Sequence, residues 1–448
     1  MAEHSRRRGE TFQYVDYDID IRQNRLLCRY KLDGREFCET VTFPGGGAWN
    51  EPAVAEAARL VFLLAGISYY KTTAPWQIDV GKNALTDTER GFLRQFYVDG
   101  LGEFAYRNSL DLSNLEIVGP RLGHKEAVRF RSEAERPLLP FGGGVDSIVT
   151  VELVRLRAAN PALFVVNRPG DRFDAIEQPA RVTGMPIRRA ERRLDEQVLR
   201  SGQLGFFNGH VPVTGILSVI AVMAAALNGC DAVIMSNERS ASVGTIKFGG
   251  RVINHQYSKS HAFESGFRAV LAEAFAGLPD YFSLLRPVTE LWIAKRFAEF
   301  PQYFGDFHSC NRAFHIDHSK RLDHWCGHCD KCCFTDLILA PYLDEVTLAR
   351  VFDGNEPLAD VARLPQFRTL LDLSAETKPW ECVGDTTECR AATRLAATRP
   401  DRKRSPVLQA LVAELKARGV EEPDPAALLK SLGSHFVPDR YAPADFVV

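Results

Sequence analysis

Phe141-Gly142-Gly143-Gly144-Val145-Asp146-Ser147 separates an apolar run, Pro137 to Phe141, from a segment with helical character, Ile148 to Ala158. A strand, a glycine turn and a helix start, in that order, make a cradle for an anion. Glycines let the backbone approach phosphate with no Cβ in the way. The free N–H groups of the first helical turn, aided by the helix dipole, then hold the negative charge. Phe141, Gly142, Gly143, Gly144, Asp146 and Ser147 are therefore the candidate nucleotide-binding residues. Asp146 and Ser147 are placed either to cap the helix or to contact the nucleotide and its metal. The plainer reading of three glycines is a turn closed by an Asp N-cap. No Gly-Lys-Ser/Thr follows, so this is not a Walker loop. Nor does the spacing fit the GxGxxG dinucleotide fingerprint.

Around this loop, Leu138–Phe141, Leu163–Val166 and Ala232–Met235 read as strands that alternate with helices. That pattern predicts an α/β fold with a doubly wound, mostly parallel sheet. Asn167 ends the second strand and is placed to meet an adenosine. We divide the chain into an N-terminal α+β domain (1–131), a nucleotide-binding catalytic domain with a cysteine cluster (132–344) and a C-terminal helical region (345–448). In the first, Leu32-Asp33-Gly34-Arg35 is a hairpin signal and Glu51 to Leu64 has helical spacing. In the last, Pro406 to Arg418 is amphipathic. Glu376-Thr377-Lys378-Pro379-Trp380-Glu381-Cys382 is a loop with an aromatic anchor that either reaches the active site or simply packs its Trp.

The 448 residues are 45% apolar and 25% charged, which suits two or three packed domains of an enzyme. A net charge of −2 favours neither nucleic acid nor membrane as partner. Met1 to Glu10 is polar and has no apolar core behind it, unlike a secretory signal. Val211 to Leu227, interrupted by Pro212 and Gly215, reads as a buried core helix.

Ten cysteines are the second strong feature. Without a secretory signal a disulfide framework is not expected. Cys310 and the run Cys326-Gly327-His328-Cys329-Asp330-Lys331-Cys332 offer four thiolates, the ligand set of a tetrahedral structural zinc. An iron–sulfur cluster uses the same ligands, so spacing leaves both open. His308, His315, His318, His324 and His328 crowd the region, and Cys333 reads as packing.

Asp231 to Met235 reads as a buried strand followed by Ser236-Asn237-Glu238-Arg239-Ser240-Ala241. Ligands of open α/β sheets bind at that strand edge. Further on stand Asn254-His255-Gln256-Tyr257-Ser258-Lys259-Ser260 and Phe263-Glu264. Glu238, His255, Tyr257, Lys259 and Glu264 can exchange a proton if burial or neighbours tune them. Lys259 and Lys247 can instead neutralise phosphate, and Arg239 can grip a carboxylate. The bland alternative is a Glu238–Arg239 ion pair and a satisfied core histidine.

Gly142 to Ser147 resembles the SGGxDS loop of the PP-loop ATP pyrophosphatases, with Gly142 where that family usually has Ser. Ser309-Cys310-Asn311 followed by Cys-Gly-x-Cys-x-x-Cys resembles 7-cyano-7-deazaguanine synthase, a zinc-bearing PP-loop ligase of much shorter chain. The whole ordered set of motifs resembles the UDP-N-acetylmuramoyl-L-alanyl-L-glutamate epimerases. That resemblance implies a cytoplasmic enzyme of peptidoglycan precursor synthesis that uses ATP, Mg²⁺ and structural Zn²⁺ and takes a UDP-sugar dipeptide. It would adenylate the terminal carboxylate, making the Cα proton acidic enough to remove, and release AMP and pyrophosphate. For that reaction Asp146, Glu238, His255 and Lys259 are the candidate catalytic residues. An amide- or nitrile-forming PP-loop ligase, or a nonenzymatic zinc-stabilised nucleotide module, are the alternatives.

Overall fold

Strands flanking the glycine loop send alternate side chains into two separate cores. Leu138, Phe164 and Val233 join one core, whereas Leu139, Leu163, Val165, Ala232 and Ile234 join the other. Strands buried on both faces read as continuous apolar runs, which is why the sequence shows them plainly. The computed structural model describes residues 7–277, 279–315, 317–375, 379–421, 423–430 and 432–446. The N-terminal residues 1–6 and Glu376, Thr377 and Lys378 of the aromatic-anchored loop lie outside these.

Ten strands form one sheet. Their spatial order is Asp280–Ser283, Cys230–Met235, Glu133–Pro140, Ala162–Asn167, Ile187–Arg193, Arg35–Thr42, Arg25–Leu32, Thr11–Asp20, Gln77–Asp79 and Glu116–Val118. The first five pair in parallel, as do the last three; the pairings of Ile187–Arg193 with Arg35–Thr42 and through the N-terminal hairpins are antiparallel. The result is a mixed α/β fold with a large, mostly parallel sheet. The N-terminal strands thus continue the sheet that carries the glycine loop. At their seam, the Arg192 guanidinium donates from Nε and Nη2 to both oxygens of Glu39, at 2.7 and 3.0 Å, with Glu39 fully buried. The hairpin turn falls at Asp33 and Gly34, both with positive φ (48° and 85°), as a primed two-residue turn requires.

Helices cover both faces. Val213–Asn228, the apolar segment, packs against Pro52–Ala65 in the first core. Val145–Arg155 and Glu290–Phe297 lie in the second. A continuous helical stretch, Pro52–Tyr70, has the length and apolarity of a membrane span, but 83% of its most apolar window is buried inside the fold. The strand before the loop is longer than its apolar run. It begins at Glu133 because the Asp231 carboxylate accepts from the backbone of Glu135 and Arg136 at 2.9 Å each, tying polar residues into the ladder.

Candidate functional site

The glycine loop lies at the C-terminal end of Glu133–Pro140. Gly143 has φ +79°, and a Cβ there would lie 2.1 Å from the Ala175 carbonyl oxygen. Backbone conformation and close packing therefore both require glycine. Gly144, not Asp146, is the N-cap of Val145–Arg155, and no side chain caps this helix. The Ser147 hydroxyl donates back to the Gly144 carbonyl at 2.9 Å. This corrects the capping alternative: Asp146 stands inside the first turn with its carboxyl free for other partners. The first-turn N–H groups have no acceptor within the helix.

Phe141, Gly142, Gly144, Asp146 and Ser147 line a cavity of about 410 Å³. Gly143 shapes the turn from behind. Asn167 is absent from the lining; its Oδ1 accepts from Arg189 at 3.3 Å, and its Nδ2 is buried without a partner. Across the cavity stand Glu238, Lys259, Glu290, Lys331 and Cys382. Burial, and then Glu238, push the Asp146 carboxyl up to about 7. Glu290 is raised well above the ordinary carboxylate range by burial, Asp146 and Glu238. Burial works against the Lys259 charge, but Cys382, Glu238 and Asp146 outweigh it and hold the ammonium above its usual value.

Cys382, at the end of the aromatic-anchored loop, also reaches the cavity. Its sulfur accepts from Lys259 Nζ at 3.2 Å and from His255. Burial opposes the thiolate, yet Lys259, His255 and Lys331 bring its pKa down to about 6. Behind it, His255 Nδ1 lies 2.5 Å from a Glu103 carboxylate oxygen. Burial disfavours the imidazolium, but Cys382 and Glu103 raise His255 to about 9. His255 therefore reaches the cavity through Cys382 rather than lining it.

One buried arginine ties together the two segments that carry the acid–base candidates Glu238 and Lys259. Arg286, 1% exposed, donates to the Glu238 carbonyl at 2.6 Å and to the Lys259 carbonyl, while its Nε donates to Glu264 at 3.0 Å. Glu264 also accepts from the Ser283 N–H at 2.9 Å. This corrects Glu264 as an acid–base candidate: its carboxylate is committed to structure. Tyr257 lines a different cavity, of about 500 Å³, beside the Ile246–Phe248 and Arg251–Ile253 hairpin. Lys247 is exposed on that hairpin.

The four cysteines converge. Cys310, Cys326, Cys329 and Cys332 place their sulfurs within 4.8 Å of one another, with 3.6 Å from Cys326 to Cys332 and 3.5 Å from Cys329 to Cys332. A tetrahedron of Zn–S bonds near 2.3 Å has edges of about 3.8 Å, so the donor set fits a structural zinc. Gly327, at φ +70°, makes the tight knuckle, and Cys329 precedes the helix Asp330–Leu339. The four cysteines themselves do not line the cavity, but their chain neighbours Ser309, Asn311 and Lys331 do. Ser309, next to Cys310, sits against the loop: a Cβ on Gly144 would lie 2.8 Å from its hydroxyl. Lys331, between two of the cysteines, lines the cavity and donates to the Cys382 carbonyl, and its N–H donates to Glu381 at 3.0 Å. His308 stacks on Trp325 and also lines the cavity. His328 faces the Cys326 carbonyl, while His318 and His324 sit beside Asp171 and Asp323. Cys333 is buried packing.

A family model for the MurL N-terminal domain matches residues 3–284, and one for the MurL C-terminal domain matches residues 306–425. The chain is similar to proteins named UDP-N-acetyl-alpha-D-muramoyl-L-alanyl-L-glutamate epimerase. It is 37% identical to that of Salinispora tropica, over 99% of this chain and 97% of the relative. It is 36% identical to that of a Micromonospora species, over 99% of each. Against that of Xanthomonas oryzae pv. oryzae it is 35% identical, over 93% of this chain and 92% of the relative.

Proposed function

The chain belongs to the MurL family, and we propose that it is an isomerase inverting the terminal L-glutamate of UDP-MurNAc-L-Ala-L-Glu at the expense of ATP. The observation that carries the ATP-dependent part is a single cavity joining a glycine anion cradle to a set of proton-exchanging side chains.

The obstacle in the reaction is the Cα proton, which sits beside a carboxylate. Adenylation masks that charge. In our reading the loop backbone at Gly142 to Ser147 holds the phosphates of ATP, and the substrate carboxylate oxygen attacks the α-phosphorus, releasing pyrophosphate. Lys259 and Lys331 face the negative charge that develops. Asp146, within the same loop, is the candidate for holding Mg²⁺, which would offset phosphate charge when bound. Zinc at the four cysteines would keep Ser309 and Lys331 in place. With the acyl group neutralised, a base removes the Cα proton, a proton returns on the opposite face, and water releases AMP. Glu238, which lines the same cavity, is the candidate for one of the two faces.

The test is the nucleotide product. Purified protein with ATP, Mg²⁺ and the UDP-sugar dipeptide should release AMP and pyrophosphate in proportion to D-glutamate formed. ADP and phosphate would refute the PP-loop chemistry; a carboxamide or nitrile formed with ammonia would favour the ligase reading.

A further inference from the structure

We propose that the Cys382 thiolate is the base that takes the glutamyl Cα proton from one face of the activated substrate. The inference rests on the reaction proposed above and names the residue for its central step. Four observations support it. Cys382 lines the cavity that the glycine loop also lines. Its sulfur is held by two cationic donors, Lys259 at 3.2 Å and His255. His255 is in turn oriented by Glu103, 2.5 Å from its other ring nitrogen. Lys331 fixes the Cys382 carbonyl, so the sulfur is held from the main chain as well. A cysteine used only for packing has no need of such an arrangement, and burial alone would keep it a thiol.

The same geometry reassigns two earlier candidates. Lys259 Nζ is too close to the sulfur for a substrate Cα to fit between them, so these two groups cannot serve opposite faces. Lys259 and His255 are positioning residues that keep the sulfur ionised. In the step itself, the Cα–H electron pair moves into the acyl carbonyl to give an enolate, and the proton moves to Sγ to give a thiol. A second group of the cavity, for which Glu238 is the candidate, protonates the other face. The thiol then returns its proton to solvent, and no oxidant or reductant is needed.

The charged groups around the sulfur are Lys259, His255 and Lys331 directly, Glu103 and His210 behind His255, and Asp146 and Glu238 beyond Lys259. His210, with its ring 4.6 Å from that of His255, is lowered to about 4 by burial and the His255 charge and remains neutral. The thiolate should accordingly persist to pH values near 6.

The experiment compares wild type with Cys382→Ala and Cys382→Ser in D₂O. Three quantities are read: substrate-dependent exchange of pyrophosphate into ATP, deuterium entry at Cα, and D-glutamate. General-base removal is typically worth ~10²–10⁴-fold. Both variants should lose at least ~10²-fold in deuterium entry and inversion while keeping pyrophosphate exchange, which also shows that they fold. Iodoacetamide should alkylate wild-type Cys382 with a midpoint near 6, ATP plus substrate should protect it, and Lys259→Met should move the midpoint upward. Inversion at the wild-type rate in Cys382→Ala would overturn the assignment. So would a covalent acyl–Cys382 adduct by intact mass, which would make the thiolate a nucleophile. More than one zinc per chain, lost in His210→Ala, would make Glu103, His210 and His255 a metal site and overturn it too. Absence of substrate-dependent exchange in the wild type would instead sink the proposed reaction itself.

Discussion

Replacing Arg286 by methionine should separate its structural role from its functional one. The guanidinium is buried and makes three directed hydrogen bonds, to Glu264, to the Glu238 carbonyl and to the Lys259 carbonyl. Arg286→Met leaves Glu264, 1% exposed, as a buried carboxylate without its cation. Breaking one side of a buried pair costs about 3–5 kcal/mol. Each carbonyl left unsatisfied adds about 1–3 kcal/mol where water cannot reach it. A loss of at least about 3 kcal/mol is therefore expected in denaturant unfolding followed by tryptophan fluorescence. In Arg286→Met/Glu264→Leu the stranded charge is gone, and replacing a buried pair by apolar groups is often close to neutral. Most of the stability should return, less the bond from the Ser283 N–H. Activity should not return, because the segments carrying Glu238 and Lys259 are still untied. D-glutamate formation, measured well below the unfolding transition, should stay depressed in both variants. A single variant that loses less than about 1 kcal/mol, or a double variant that recovers activity together with stability, would refute the positioning role.

Other outcomes follow from particular contacts. Gly143→Ala must accept a positive φ, at about 1–2 kcal/mol, and a carbonyl contact that forces the loop to shift; AMP release should fall far more than the melting temperature does. Cys329→Ser should lower zinc content and, by loosening Lys331, AMP release, whereas Cys333→Ser should leave metal content unchanged, both read by metal analysis. Glu39→Ala strands Arg192 at the sheet seam and should cost about 3–5 kcal/mol in denaturant unfolding. The Cys382–His255 pair sets a pH signature. A cysteine lowered from 9.0 to about 6 adds stability above pH 9 that is lost as pH falls from 9 to 6. A histidine raised from 6.5 to about 9 adds stability below pH 6.5 that is lost as pH rises to 9. The two slopes oppose, so this pair leaves stability nearly flat from pH 6.5 to 9. Glu103→Gln weakens the histidine side and should make stability rise with pH over that window; an unchanged slope would argue against the relay.

The parts of the fold visible in the sequence are those whose information is local. Leu163–Val166 and Ala232–Met235 are apolar because both faces of each strand are covered, and the Asp33-Gly34 turn carries its own conformational demand. The four convergent cysteines showed in their spacing. The Ile187–Arg193 strand was missed because its sequence, Ile-Arg-Arg-Ala-Glu-Arg-Arg, buries only Ala190 fully. Its pairing with Arg35–Thr42 depends on Glu39, more than 150 residues away. Long separation hid the chemistry as well: Cys382 meets Lys259 across 123 residues, and His255 meets Glu103 across 152. His255 and Lys259 are reactive types in sequence, whereas for their common partner Cys382 the sequence offers only the aromatic-anchored loop that ends on it and no sign of its chemistry. Lys331 stands between two of the converging cysteines, whose positions set its direction. Arg286 sits in an apolar stretch, where a lone arginine is a signal worth reading: burial obliges it to find several acceptors at once.

The most direct measurement is Cα deuterium in the glutamate recovered after reaction in D₂O, with and without ATP. The account predicts D-glutamate carrying one solvent deuterium only when ATP, Mg²⁺ and the UDP-sugar dipeptide are all present, with AMP formed alongside. Inversion or exchange without ATP would contradict it, because the carboxylate would then need no activation before the proton leaves.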